Sequence, residues 1–535
     1  MTRFEPARTT AAAPLAALPS ECDVCIIGSG VGGSAVALSL AASGARICIL
    51  ERGERLVREA QNQDPEAVFV ERRYRTRERW LDGAGEPFTP GQYYFVGGHT
   101  KFYGTAMFRL RERDFDATDH EDGSSPAWPL RYADLEPHYA HAERLFGVHG
   151  RAGDDPTEPP RADPYPQPPV PHEPLIGELA ERLRARGLRP FHMPSAIDLR
   201  EGGACVRCGT CDAFPCRYGA KGDAEVCLLD PALRAPNVTL HTGCRVTRLI
   251  ADDAGQRIVA VEIEREGRVQ TLRAALFVLS AGAINSAALL QRSASAQHPN
   301  GLANSSGQVG RNYMRHLTGS VYGLFKQPVH MYRGTTMAGI IRDEAKHDTK
   351  RGFVGGYELE TLALGVPFMA AFLNPGGWGA DFTDYMENYT NLAGMWIVGE
   401  DMPRETNRIT LNDKVKDKWG SPAPNVHFDD HPNDIAMREH AFRQGQRVYE
   451  AAGAIKSFRT PPYPSTHNLG SCRMGAKATD SVCNSFGQTH DIKNLFISDG
   501  SQFTSGGAEN PTLTIVTLAI RQADYIAQQM TGRAI

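Results

Sequence analysis

The chain lacks any unbroken apolar run near the ~18 residues that a membrane-spanning helix requires. Its mean hydropathy is −0.37. It lacks an excess of either charge: 58 Lys and Arg stand against 62 Asp and Glu, a net −4 over 535 residues. A chain so nearly neutral has no global basic field to hold nucleic acid or an anionic membrane. No compact apolar segment leads to a cleavage site near the start. Residues 1–19 are rich in Ala, Thr and Pro and read as a flexible tail, not a signal peptide. No internal repeat is evident. The eleven cysteines lack the even spacing of a secreted disulfide scaffold, because six of them crowd into 205–244. That pattern predicts a cytoplasmic enzyme. At ~100–200 residues per domain, the length allows roughly two to four domains and a large core.

Glycine is plentiful, at 53 residues, which predicts tight turns and close backbone–ligand approaches. The first cluster follows a short apolar run, Asp23 to Ile27, readable as a buried parallel strand. Gly28-Ser29-Gly30-Val31-Gly32-Gly33 then fits G-x-G-x-x-G and opens a small-residue helix to Ser43, with Gly44 at its C′ position. A second strand, Arg46 to Leu50, ends at Glu51. Gly28 permits the turn, Gly30 lets the backbone approach a pyrophosphate, and Gly33 lets helix and strand pack closely. The helix N-terminus offers free N–H groups to phosphate. Glu51 is placed to accept from both adenosine ribose hydroxyls, and an acid there disfavours a 2′-phosphate. These parts predict a bound dinucleotide without choosing between FAD and NAD.

The C-terminus makes the choice. Asn494 to Gly500 reads as another buried strand, ending in Asp499 and Gly500. Glu509-Asn510-Pro511-Thr512 precedes an amphipathic helix, with Leu513, Val516, Ile520, Ala523 and Ile526 on one face. Asn510 suits an N-cap and Pro511 suits N1. The segment is either a capped helix alone or a helix whose positive end faces a flavin ring.

Upstream stands Pro464-Ser465-Thr466-His467-Asn468-Leu469-Gly470-Ser471-Cys472. With Glu51-Arg52-Gly53, Gly97-Gly98-His99-Thr100, Trp128-Pro129-Leu130, Leu279 to Ser286 and Val309-Gly310-Arg311-Asn312, the chain resembles the glucose–methanol–choline (GMC) flavoenzymes over nearly its whole length. Ala287 departs from that pattern, standing where proline is usual. The resemblance implies an α/β fold: a discontinuous Rossmann-like FAD-binding domain (20–315 and 466–535) and a sheet-plus-helices substrate domain (316–465). It implies oxidation of a CH–OH group, with His467 as general base, Asn510 orienting the substrate oxygen, and hydride passing to flavin N5. A histidine of ordinary pKa, about 6.5, suits that role. His316, His427 and His490 read as surface or core filler. Gly28, Gly30, Gly33, Glu51, Thr100, Val246, Asp499, Gly500, Pro511 and Thr512 are implied to hold FAD. Some members attach FAD through a histidine where this chain has Phe102. Non-covalent FAD is therefore implied, with attachment at His99 as the alternative. Thr100, Phe102 and Tyr103 are placed at the flavin's edge.

Two segments stand apart. Pro156 to Pro174 holds nine prolines in 19 residues and reads as an extended strap. Cys205, Cys208 and Cys211 form C-x2-C-x2-C, with Cys216 following in a cysteine-rich loop, 205–227. That spacing admits an iron–sulfur cluster, zinc, disulfides or free thiols, and no metal ligand is assigned. The Asp/Lys-rich patch 412–418 reads as a solvated turn. The leading expectation is an FAD-dependent alcohol or sugar oxidoreductase with an unspecified electron acceptor. A lyase on the same scaffold and an electron-relay flavoprotein are the alternatives.

Overall fold

The computed structural model describes residues 17–532 apart from 121–122, 333–338, 363–377 and 418. Most of the expected N-terminal tail and the last residue of the 412–418 patch lie outside the described residues.

The apolar run becomes the strand Glu21–Ile27, which lies parallel between Ile47–Leu50 and Arg268–Leu279. Val238–His241 extends this sheet at one side, and Leu495–Ile497 joins Arg268–Leu279 at the other, again in parallel. Val24, Cys25 and Ile26 are all buried, so this strand shows no inside–outside alternation, as expected where both faces are covered. Arg268–Leu279 serves three partners, Leu495–Ile497 among them. Its first half pairs antiparallel with Ile258–Arg265, and its last residues run beside the first strand. The helix Val31–Leu40 packs on the C-terminal helix Thr512–Thr531. Gly44 ends the first of these turns with φ +76°.

A second, antiparallel sheet has six strands in the order Lys456–Arg459, Leu317–Leu324, Leu392–Gly399, Tyr357–Leu362, Gly339–Ile341 and Phe191–His192. The helix Pro432–Ala452 packs on it. Pro422–His427 instead joins Arg408–Lys416 and Trp80–Asp82 in a separate sheet of four strands. Pro156 to Glu173 contains no helix, and Pro174 opens the helix Pro174–Arg184.

Two local expectations are corrected. The 412–417 patch continues the strand Arg408–Lys416 with Asp413 to Lys416 exposed, so it is solvated but extended rather than turned. The C-terminal helix starts at Thr512 with Pro511 at its N-cap, and no side chain caps it. Asn510 lies outside the helix.

Candidate active site

One cavity of about 1710 Å³ runs between the two large sheets. Gly28, Gly30, Glu51, Thr100, Val246, Asp499, Gly500, Asn510, Pro511, Thr512 and His467 all line it. Gly33 does not: it packs against the Gly28 carbonyl, where an added Cβ would stand 2.1 Å from that oxygen.

Glu51 braces the glycine turn. It accepts from the Ser29 N–H at 3.0 Å, the Ser29 hydroxyl at 2.7 Å and the Gly53 N–H at 2.8 Å. Burial pushes its carboxyl above the usual range, and these donors oppose the rise. Ser29, an unremarked x of the motif, also accepts from the Gly97 N–H at 3.2 Å. One hydroxyl thus joins the first glycine loop to the Gly97-Gly98 loop. Thr100 donates to the Gly97 carbonyl at 2.7 Å and accepts from the Ala224 N–H at 3.0 Å. Asp499 accepts from the Gly282 and Ser501 N–H groups, both at 2.9 Å. Phe102 stacks on Tyr93 with ring centroids 4.0 Å apart. His99 is held in the wall, and burial alone pulls its pKa down to about 4. Phe102 and Tyr103 also line the cavity.

His467 is positioned by its neighbours. Leu469 and Met314 exchange backbone hydrogen bonds, and the Gly470 N–H donates to the Gly500 carbonyl at 3.0 Å. That pairing brings His316 against His467, Nδ1 to Nδ1 at 3.0 Å, with the rings edge to face. His316 Nε2 lies 3.3 Å from the Gly506 carbonyl oxygen, which can only accept. The hydrogen-bond network therefore assigns the proton of His316 to Nε2, leaving its Nδ1 to accept. His467 then donates from Nδ1, and its Nε2 keeps a free lone pair. Burial pulls His316 down to about 4 and His467 to about 3, the second ring adding to the effect at His467. This corrects the expectation of an ordinary pKa: both rings are neutral at physiological pH. It also corrects the expectation for His316, which is buried in contact with the candidate base. Asp401 holds the His316 backbone at φ +51° by accepting from the Arg315 and His316 N–H groups at 2.7 and 3.0 Å. His427 lines the cavity farther out and bonds Thr410 Oγ1 through Nε2 at 3.0 Å; His490 bonds Ser481 Oγ.

Asn510 is buried, and its Oδ1 has no hydrogen-bond partner in the protein. Its neighbour Glu509 is fixed from behind by Arg111 Nε at 2.9 Å and by Arg342. Near Asn510 the cavity meets Glu360, Trp396, Tyr463 and Asp212. Glu360 and Tyr463 escaped the sequence reading as functional candidates, whereas Trp396 reads there as an aromatic that could stack on a sugar or fill a core. The signal for Glu360 is present as the alternation Tyr357-Glu358-Leu359-Glu360, which sets two acids on one face of a strand.

The cysteine-rich loop lies at the edge of this region. Cys205, Cys208, Cys211 and Cys216 line a small recess. Among the described residues no three His, Cys, Asp or Glu side chains are grouped so as to hold a metal. Also among the described residues, no helix is long and apolar enough to cross a membrane.

Two family models described as GMC oxidoreductase match residues 186–318 and 403–519. The chain is 32% identical to the 2-methyl-1,2-propanediol dehydrogenase of Mycolicibacterium austroafricanum, over 95% of this chain and 96% of that protein. It is 31% identical to the paromamine 6'-oxidase of Streptomyces fradiae, over 96% and 92%. The crystal structure of pyridoxine 4-oxidase from Mesorbium loti superposes with a TM-score of 0.68 over 94% of this chain and 99% of that one. At 18% identity, that last likeness concerns the fold alone.

Proposed function

Because the chain belongs to the GMC oxidoreductase family, whose members depend on FAD, we propose that it oxidises the CH–OH group of an alcohol or sugar, with His467 as the proton acceptor. The observation that carries this reading is the meeting of His467 and Asn510 on the cavity that begins at Gly28 and Gly30. The relatives named as a diol dehydrogenase and a paromamine oxidase support an alcohol as substrate. Residues 20–315 and 466–535 are read as the FAD half and 316–465 as the substrate half.

The residues fit the cofactor. A Cβ at Gly30 would meet no protein atom within 4 Å, so the backbone there is open to the cavity. Glu51 and Val246 would hold the adenosine end, and Gly30 and the N-terminus of Val31–Leu40 the pyrophosphate. Thr100, Asp499, Gly500, Pro511 and Thr512 would surround the ring. Bound FAD supplies the two-electron acceptor for the carbinol hydride. His467 Nε2 accepts the hydroxyl proton while Nδ1 stays bonded to His316. Asn510 orients the substrate oxygen but cannot take its proton. The free N–H groups of the C-terminal helix favour negative charge at its start.

Anaerobic mixing of the yellow holoenzyme with alcohols tests the reading. Bleaching of the flavin band is expected, whereas a lyase on this scaffold would leave the colour unchanged. FAD is held without a covalent bond in this proposal, since Phe102 carries no nucleophile. Acid precipitation is expected to release all flavin to the supernatant; colour retained in the pellet would place the attachment at His99. Asn510→Asp is expected to slow flavin reduction at least about tenfold by setting another carboxylate beside Glu360. Faster reduction in that variant would overturn the role given to the helix dipole.

A further inference from the structure

Asn510 has a buried Oδ1 without a hydrogen-bond partner in the protein. Its side chain is in hydrogen-bonding contact with Glu360, a wholly buried acid that borders the same cavity. Strand register fixes Glu360 between Ile340 on one side and Trp396 on the other. Glu358 precedes it on the same face and hydrogen-bonds it, and Arg342 Nε meets Glu358 at 3.1 Å. Arg342 also pairs with Asp155 and Glu509, so one cation is divided among three acids before its charge reaches Glu360. Asp212 acts on Glu360 as a like charge, while itself held by the Ala213 N–H, by Trp396 and by the charge of Lys221. The Tyr463 hydroxyl, bonded to Ser320 Oγ at 2.8 Å, completes the groups that act on this acid.

We propose that Glu360 positions Asn510: with a proton it donates to Asn510 Oδ1 and turns Nδ2 toward the substrate oxygen, and without one it accepts from Nδ2 and turns the amide over. The proposal rests on the oxidation reading for the oxygen that Asn510 faces. An amide carries its donors at one end and its acceptor at the other. A charged carboxyl only accepts, so it takes Nδ2 and leaves the buried Oδ1 without a donor, which is costly. A protonated carboxyl supplies that donor and frees Nδ2. The freed end is the one that oxidation needs. The substrate hydroxyl gives its single proton to His467 Nε2, and the oxygen left behind gains negative charge that a donor stabilises and an acceptor repels. Burial pushes Glu360 up to about 7; Asp212 adds to the rise, and Glu358, Asn510 and Arg342 oppose it. Burial also lifts Glu358 above the usual range, so the two acids titrate as a pair.

The test uses the oxidised holoenzyme and two small uncharged probes: N,N-dimethylformamide, which only accepts, and pyrrole, whose N–H only donates. Binding is read by isothermal titration and by perturbation of the flavin spectrum, and oxidation separately by bleaching. A general effect of pH moves both probes together, so the ratio of their affinities reports which end of the amide faces the cavity. That ratio, dimethylformamide over pyrrole, is expected to fall about tenfold between about pH 5.5 and about pH 8.5. Flavin reduction by an alcohol is expected to slow over the same range. Glu360→Gln cannot titrate, and both dependences are expected to vanish. Should that variant fail to fold, Asp212→Asn removes a like charge, and the midpoint of the ratio is expected to move to lower pH. A flat ratio in the parent, binding of neither probe, a fall that persists in Glu360→Gln, or an unmoved midpoint in Asp212→Asn would each overturn the proposal. A ratio that falls as expected with no bleaching by any alcohol would uphold the positioning and reject the oxidation reading; bleaching with a flat ratio would do the reverse.

Discussion

His467→Ala is expected to slow flavin reduction by an alcohol about 10²–10⁴-fold while FAD stays bound. Stopped-flow measurement at the flavin band checks it, and reduction at the wild-type rate would refute the base assignment. The size follows from what is removed. His467 is neutral because burial has pulled its pKa to about 3, so Nε2 is available as an acceptor across the neutral range. A group with a depressed pKa is lost as a base only when pH falls through that lowered value. The wild-type rate is therefore expected to show no acid limb near the ordinary histidine value of about 6.5, and to fall only well below it. A limb at that ordinary value would contradict the burial account. His316 acts through His467 and is a positioning residue. His316→Phe keeps a ring but removes the Nδ1 acceptor, leaving His467 free to choose the wrong tautomer. A drop of about tenfold in kcat with KM little changed is expected, and partial recovery in His316→Gln, whose carbonyl can accept.

The parts of this site that could be read in the sequence are those whose cause is local. An apolar run, three spaced glycines and a terminal acid fix the turn at Gly28 because each acts within a few residues of its neighbour. The start of the C-terminal helix was less legible. Capping chemistry assigns Asn510 to the helix, yet its amide turns to the cavity and no side chain caps that end. The local capping preference is not followed there. His316 was illegible because its place beside His467 depends on the Met314–Leu469 pairing and on an unusual φ. Neither leaves a sequence signature. Glu358 and Glu360 alternate plainly, but two acids on a strand face read as solvated, and only the packed structure turns that face inward. The lowered histidine pKa values were hidden for the same reason: burial is a property of the whole fold.

The second large effect separates two glycines of one motif. Gly30 stands at the N-cap and Gly32 in the first turn of the helix Val31–Leu40, and the motif pattern singles out Gly30 alone. The structure gives them different jobs. A Cβ on Gly32 would stand 1.6 Å from the Ser498 carbonyl oxygen and 2.8 Å from Ser280 Oγ. That carbonyl cannot retreat, because Ser280 donates to it at 2.7 Å and the Ser498 N–H is tied to the Leu279 carbonyl at 2.8 Å. Overpacking against side chains costs typically about 1–3 kcal/mol, and here the obstacle is backbone at the junction of three strands. Gly32→Ala is therefore expected to yield no soluble, yellow protein. At Gly30 the backbone has φ −67° and ψ −175°, open to any residue, and the added methyl would meet only cavity. Gly30→Ala is expected to fold with a circular dichroism spectrum like the parent's, yet to lose flavin on gel filtration, its FAD affinity down about 10–100-fold because the methyl occupies the pyrophosphate's approach. Flavin content and Tm of the two purified variants decide the matter. Stoichiometric FAD in Gly30→Ala would remove the phosphate from that glycine, and a normal Tm in Gly32→Ala would show that the Ser498 strand yields where the packing says it cannot.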